Sequence, residues 1–328
     1  SAGFGAICGS SLATCATLGR VALPEMARHG YAPRLAAGSV AAGGTLGVLI
    51  PPSIILVLYG LLTRESIGAL FAAALIPGVL AAVGYGLAIQ VSTRLDPDLA
   101  PAAPARPWAQ RLHALLAIWD VTLLFAVVIG GIYAGWFSPT EAAAVGVFGA
   151  LVSALVYRKF SWELMRDASI RTFKLTGMIM WILFAAHAFS AAYQSMGAQE
   201  LIEGMITGIP GGPWAVIITM MVIVFFLAMV LDPVGIMLIT LPVFLPIVQS
   251  MGFDPVWFGI LFVINMEIGY MTPPFGFNLF YLKGVVPPSI TMKDIYVSVI
   301  PFVLVEIVGL ALIMIFPEIA TYLPDLMF

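Results

Sequence analysis

The sequence predicts an all-α polytopic membrane protein built from two inverted repeats, each carrying a re-entrant hairpin and a broken transmembrane helix. Three observations predict this class. Hydrophobic residues make up 61% of the 328 and charged residues only 9%, with a mean hydropathy of +1.06, whereas a soluble domain carries about 25% charged residues. Two stretches match without a gap at a constant offset of 222: Pro24-Glu25-Met26 through Gly30 and Pro33 to Gly47, Pro51 and Pro52, and Pro246-Ile247-Val248 through Gly252 and Pro255 to Gly269, Pro273 and Pro274. Lys and Arg, finally, gather in alternate connections between apolar runs.

In chain order, residues 2–18 read as the second arm of a hairpin entered through Gly9-Ser10-Ser11. Apolar runs long enough to span follow at 35–62 and 69–92, since a crossing needs about 20 residues. A connector rich in Pro, Ala and Arg comes next, then spans at 115–134, 140–157 and 173–195. Between the last two, residues 158–174 interleave Phe160, Trp162, Leu164, Met165 and Ile170 with Arg158, Lys159, Arg166 and Arg171. That pattern suits an amphipathic helix lying on a membrane surface. Residues 214–230 and 236–249 are each short and meet at Leu231-Asp232-Pro233, which reads as a second hairpin; such backbone is tolerated at membrane depth only when buried in protein or lining a cavity. The last spans are 256–282, itself interrupted, and 294–316. The domains expected are thus 1–92, the C-terminal part of the first repeat; 93–113, a cytoplasmic linker; and 114–328, the second repeat. Carrying the repeat backward leads one to expect about 100 further residues ahead of Ser1.

Every Lys and Arg except Arg64 falls in one of four connections: Arg20, Arg28 and Arg34; Arg94, Arg106 and Arg111; Arg158, Lys159, Arg166, Arg171 and Lys174; Lys283 and Lys293. If each span crosses once and each hairpin returns to its own side, these four share a face, which the positive-inside rule makes cytoplasmic. One hairpin then opens inward and the other outward. Cys8 and Cys15 lie seven apart, about 10.5 Å along a helix, too far for a disulfide, and read as packing residues.

The chemistry concentrates at the interruptions. Gly43-Gly44-Thr45-Leu46-Gly47 runs into Pro51-Pro52-Ser53 in mid-span, where a helix cannot continue because proline lacks the amide donor and pushes its predecessor out of the helical region. Freed carbonyls and the hydroxyls of Thr45 and Ser53 are hard oxygen ligands for an alkali cation, and the half-helix that follows begins with exposed amides that favour an anion. The equivalent segment Gly269-Tyr270-Met271-Thr272-Pro273-Pro274 adds Thr272 and, further on, the amide of Asn278. Ser10, Ser11 and Thr14 offer hydroxyls at the first hairpin tip. Asp232 and Glu267 are the acids deepest in apolar surroundings near the breaks, and an intramembrane acid is a functional hypothesis by default. For Asp232 a hairpin-turn cap is an equal reading, and for Glu267 a hydrogen-bonded structural or coupling role. Glu306 and His187 read as packing residues in their spans, and His29 and His113 as solvated loop residues. No histidine stands in relation to the tip serines, which argues against a nucleophile. Phosphate-binding loops, zinc spacings and nucleic-acid modules are absent, so neither ATP hydrolysis nor nucleic-acid binding is expected.

Gly9-Ser10-Ser11-Leu12-Ala13-Thr14, Pro24-Glu25-Met26 with Gly30-Tyr31, the 43–53 break, Tyr59-Gly60, Ser66-Ile67 with Leu70-Phe71, Ile76-Pro77-Gly78 and Thr272 through Phe280 together resemble the large membrane subunit of tripartite ATP-independent periplasmic (TRAP) transporters. The resemblance implies a sodium-coupled, elevator-type importer of an organic anion, usually a carboxylate. It implies two partners in the bacterial inner membrane and periplasm, a small four-helix membrane subunit and a substrate-binding protein, and no cofactor besides Na+. A stand-alone inverted-repeat carboxylate carrier is the alternative; a channel would show sodium-independent flux, and an enzyme would need a proton-transfer pair or metal cluster. Carried onto this sequence, the resemblance sets one sodium site between the Ser10/Ser11 tip and Gly43 to Gly47, and a second between the Asp232 tip and Gly269 to Thr272. The cation candidates are then Gly9, Ser10, Gly43, Gly44, Thr45, Gly47, Asp232, Glu267, Gly269 and Thr272. The substrate candidates are Ser11, Thr14, Ser53, Asp232, Pro274 and Asn278, with Pro51, Pro52, Pro273 and Pro274 making the breaks.

Overall fold

The computed structural model describes residues 3–5, 9–101, 107–108, 110, 119–197, 204, 210–287 and 290–328. Among the described residues the regular structure is helical, and seven helical stretches are long and apolar enough to cross a membrane. The chain divides into two compact units, Ser1–Pro101 with Tyr193–Phe328, and Ala102–Ala192. Cys8, Arg106, Arg111, His113, Glu200 and Glu203 lie outside the described residues.

The first unit begins with α1 (Ser11–Arg28), which packs along α2 (Pro33–Leu49). Lipid is as apolar as leucine, so helices in a membrane associate through close packing of small side chains. α2 supplies these: Ala36, Ala37, Gly38, Ala41, Ala42, Gly43, Gly44 and Gly47 are all buried. A Cβ at Gly38 would come 2.3 Å from the Ser298 carbonyl oxygen, so that contact admits nothing larger than glycine. α2 stops where the prolines require it: Ile50 is extended, and α3 (Ile54–Thr63) restarts after Pro51-Pro52 with Ser53 Oγ accepting the Leu56 amide at 3.3 Å. α4 (Ile67–Leu95) follows, capped by Ser66.

The connector is tied down at its start, although most of its described residues are exposed. A 3-10 turn at Pro97–Leu99 buries Leu99, whose carbonyl accepts the Ala32 amide at 2.9 Å, and Arg34 pairs with Asp96. The Pro and Arg content said nothing of that backbone bond.

After residue 193 the unit resumes with the hairpin α8 (Gly212–Val230) and α9 (Pro233–Ser250), then α10 (Pro255–Met271), α11 (Phe277–Lys283), α12 (Met292–Ile315) and α13 (Glu318–Met327). α10 is the core: every residue from Trp257 to Met271 is buried, and it packs on α2, α4, α8 and α12. Three neighbours, α8, α12 and α3, are also held by directed bonds. Asn265 Nδ2 donates to the Met221 carbonyl of α8 at 2.6 Å, Trp257 Nε1 to the Ile313 carbonyl of α12 at 2.9 Å, and Tyr59 of α3 to the Pro255 carbonyl at 2.7 Å. The bounds of α1 and α9 recur at an offset of 222 at both ends, and so do those of α2 and α10.

The second unit holds α5 (Trp119–Tyr133), α6 (Pro139–Val156) and α7 (Trp162–Ser195) up to residue 192. A capping box joins Ser138 and Glu141 at the start of α6, and Ser153 donates to Asp120 at 2.6 Å, fastening α6 to α5. α7 is one helix of 34 residues, where the sequence reading divides it into a surface helix at 158–174 and a span at 173–195. No proline and a single glycine, Gly177, fall inside it, so nothing interrupts the backbone ladder where polarity changes. His187 is exposed on α7, where the sequence reading has it in packing.

Candidate functional site between a hairpin tip and a broken helix

The first tip reaches its break. Gly9 has φ +60, a conformation that only glycine adopts cheaply, and its carbonyl accepts the Ile54 amide at 3.4 Å. A Cβ there would stand 2.8 Å from the Pro52 carbonyl oxygen. Ser10 caps α1 with extended backbone and no side-chain hydrogen bond to the helix, which leaves its hydroxyl available. Behind the tip, Gly44 faces Cys15 and the Ser11 carbonyl, and Gly47 faces Gly5.

Gly43, Gly44, Thr45 and Gly47 are themselves helical, since α2 continues to Leu49, and the interruption is confined to residues 50–53. The Thr45 hydroxyl points away from the tip. It donates to the Ala42 carbonyl at 2.9 Å and lies 3.2 Å from the Tyr85 hydroxyl. The 3.6-residue period turns it about 100° around the helix from Gly44, which faces α1.

Two substrate candidates stand out by what they lack. Thr14 Oγ1 and both amide atoms of Asn278 are buried with no hydrogen-bond partner, on α1 and α11, which are in contact; Cys15 Sγ reaches the Asn278 carbonyl at 4.0 Å. A buried polar group without a partner costs about 1–3 kcal/mol, so both side chains carry polar surface that their neighbours leave unsatisfied. Ser53, by contrast, is satisfied as the cap of α3.

The second break differs. Thr272 closes α10, its hydroxyl donating to the Ile268 carbonyl at 2.6 Å, and Pro273 to Gly276 precede α11. Pro274 is exposed, and its carbonyl accepts from Tyr296. Gly269 meets α8, where a Cβ would fall 2.4 Å from Ala228 Cβ. Asp232 is exposed, not deep, and its carboxylate accepts the Val234 and Gly235 amides, both at 3.1 Å; of the two readings of this residue, the structure places the cap, as Asp-Pro at a turn favours. It remains within electrostatic reach of Tyr270. Outside the spans, Glu65 in the turn between α3 and α4 has its carboxyl held above the usual range, by burial first and by Asp254 second.

Glu267 is wholly buried and neither carboxyl oxygen has a hydrogen-bond partner. The acid that interacts with it electrostatically is Glu306, also buried, whose Oε1 accepts the Tyr85 hydroxyl at 2.5 Å. Sequence reasoning left Glu306 as a packing residue and missed Tyr85. A lone acid in an apolar span was the available signal for the first, and Gly84 and Gly86 flanking the tyrosine for the second: Gly84 stands where a Cβ would come 2.5 Å from Val305 of α12.

Comparison with known proteins adds the lineage. The family profile for the DctM component of tripartite ATP-independent periplasmic transporters matches residues 1–319. The C4-dicarboxylate TRAP transporter large permease protein DctM of Pseudomonas aeruginosa is 35% identical over 326 residues, covering 98% of this chain and 75% of that protein. The ectoine/5-hydroxyectoine TRAP transporter large permease protein UehC of Ruegeria pomeroyi is also 35% identical, over 99% of this chain and 75% of its own length. The sialic acid TRAP transporter permease protein SiaT of Haemophilus influenzae is 29% identical over 99% of this chain and 52% of its own length.

Proposed function

The chain belongs to the DctM family of tripartite ATP-independent periplasmic transporters, and from that premise we propose that it is the membrane permease of a sodium-coupled importer of an organic acid anion. The observation that carries the proposal is the pairing of the Gly9 tip with the 50–53 break beside the unpartnered Thr14 and Asn278. Broken helices of this kind place carbonyls and amides near the bilayer midplane, where transporters bind their cargo. The substrate is held by hydroxyl, amide and backbone donors, because no Lys or Arg lies among these residues. Names of the relatives refer to C4-dicarboxylates and sialic acid among other compounds, which favours a carboxylate.

One sodium ion sits between Gly9-Ser10 and the buried end of α2 at Gly43, Gly44 and Gly47. A second sits between Asp232 and the end of α10 at Gly269 and Thr272. Each net positive charge carried inward gains about 2.3 kcal/mol per 100 mV, so a monoanion moving with two sodium ions is drawn in by an interior-negative potential. The equal offset of α1/α9 and α2/α10 supports a repeat, and the basic connections support its inversion; an inverted pair is the arrangement that alternates access, here by an elevator-like movement. The partners are a small membrane subunit and a periplasmic binding protein, in a bacterial inner membrane.

The test is uptake by the reconstituted full-length transporter with and without the binding protein encoded beside it. Uptake only in its presence supports the proposal. Equal uptake in its absence identifies a stand-alone carrier and overturns this assignment of partners.

A further inference from the structure

The break that meets the first tip is gripped from its far side. Thr45 stands in the last turn of α2, where the Leu46 carbonyl accepts the Ile50 amide at 2.9 Å, and its hydroxyl lies 3.2 Å from that of Tyr85 on α4. Tyr85 donates in turn to Glu306 of α12 at 2.5 Å. About two turns earlier on α4, Gly78 admits Ile50 itself: a Cβ there would come 2.9 Å from Ile50 Cγ1. α4 thus holds α2 both at its last turn and at the residue where the break begins.

The tyrosine is itself held. Its ring meets Phe302 of α12 edge-on, with 5.3 Å between centroids and 87° between planes, and it clusters with Ala42 and Leu46 of α2. Gly84 lets α4 and α12 close up beside it, since a Cβ there would fall 2.5 Å from Val305 Cγ1. Tyr85 and Glu306 are both buried, so water does not compete for their bond. α12 also touches α2 about two turns before Thr45, where Gly38 meets the Ser298 carbonyl. Gly38, Ala42 and Thr45 follow the i, i+4, i+7 spacing of one helix face, while Gly44, on another face, meets Cys15 and the Ser11 carbonyl of α1. A rotation of α2 that parts Thr45 from Tyr85 therefore swings Gly44 along the hairpin arm. It also displaces residues 50–53, which lead to the Ile54 amide that the Gly9 carbonyl accepts. The position 222 beyond Tyr85 is Ile307, which has no hydroxyl to offer the second break.

We propose that Tyr85, anchored by Glu306, is a positioning residue of the first sodium site: it sets the rotation of α2 and so the direction in which the broken end meets the tip. The inference rests on the sodium reading of that site. Thr45 serves the ion through the backbone of α2 and not as a ligand, because its hydroxyl is turned to Tyr85 and the Ala42 carbonyl.

The experiment is sodium activation of uptake by the full-length transporter with its binding protein in proteoliposomes, resolved into half-maximal sodium and maximal rate per inserted chain. Tyr85→Phe and Thr45→Val each raise half-maximal sodium about fivefold, the equilibrium worth of one hydrogen bond, and leave the maximal rate in place. The double variant goes no further, because both changes cut the same link, and Thr45→Ser, which keeps the hydroxyl, restores normal activation. Tyr59→Phe is the control: it deletes the same atom from the bond at 2.7 Å between α3 and the Pro255 carbonyl, and it lowers thermal stability without moving half-maximal sodium. Unchanged half-maximal sodium in Tyr85→Phe and Thr45→Val overturns the proposal. An equal shift in Tyr59→Phe also overturns it, since the effect is then a general loosening, and so does a shift in Thr45→Ser as large as in Thr45→Val. Should Tyr85→Phe fail to insert, the Thr45→Val and Thr45→Ser pair decides alone. Sodium-dependent uptake with unmoved variants sinks this inference only, whereas an unmodified transporter indifferent to sodium sinks the sodium reading with it.

Discussion

Gly9→Ala separates the cost of a strained backbone from the cost of moving a hairpin tip. The new Cβ lands 2.8 Å from the Pro52 carbonyl oxygen, against an ordinary contact of 3.4 Å or more, so the tip retreats by roughly half an ångström in an interior that is close-packed. An L-residue at φ +60 costs about 1–2 kcal/mol, a penalty on the fold as a whole. The retreat also strains the bond from the Ile54 amide to the Gly9 carbonyl, whose net worth is about 1 kcal/mol. Only that second part depends on the tip meeting the break, and it corresponds to about a fivefold rise in the sodium concentration for half-maximal uptake. Gly30→Ala is the control: Gly30 has φ +75 with only Pro101 Cγ nearby, at 3.4 Å, and it stands in the turn after α1. Both variants should lose similar thermal stability in detergent, and only Gly9→Ala should shift sodium activation in proteoliposomes. Identical sodium activation in the two variants would refute the tip-to-break contact as part of the cation site.

Replacing Pro51-Pro52 by Ala-Ala lets α2 and α3 join, so membrane insertion should be normal by protease protection while sodium-dependent uptake is lost; wild-type uptake would make the break a packing feature. Tyr85→Phe deletes the hydroxyl bound to Glu306 and should lower stability by about 1–3 kcal/mol, the cost of leaving a buried acceptor without its donor. Thermal unfolding checks this, and coupling to Glu306→Gln in a double-mutant cycle should account for most of the loss. Glu65 has its carboxyl held above the usual range by burial and Asp254. The folded state thus favours the proton, and stability falls as pH rises from the unfolded value through the folded one. Unfolding followed across the acidic range should show Glu65→Gln losing that slope, with an effect below about 1 kcal/mol because the group is largely solvated.

Helix ends and breaks were legible because they are written locally. Pro51-Pro52 and Pro273-Pro274 forbid a continuous ladder wherever they fall, Asp232 before Pro233 is a cap in any helical context, and hydropathy sets the spans. The site was legible only where it coincides with those signals. Gly9 and Ser10 were singled out because a tip must be small and polar. Thr45 was placed at the break by proximity in sequence, but its rotation about α2 decides its partner, and that rotation is fixed by packing against α4 and α12. Glu306 and Tyr85 stand 221 residues apart, and no pattern along the chain announces such a pair. Likewise the continuity of α7 reflects the absence of a breaker, while the polarity change at 174 suggested one. The terminal helix α13 was overlooked because its ten residues include Pro324, yet it packs along α4.

The central claim is that sodium drives uptake through the tip and break. Its most direct measurement is substrate uptake by the full-length transporter with its binding protein in proteoliposomes, under an inward sodium gradient with the membrane potential set by potassium and an ionophore. Uptake should require external sodium and accelerate when the interior is made negative. Equal uptake with choline in place of sodium, at either potential, would contradict it.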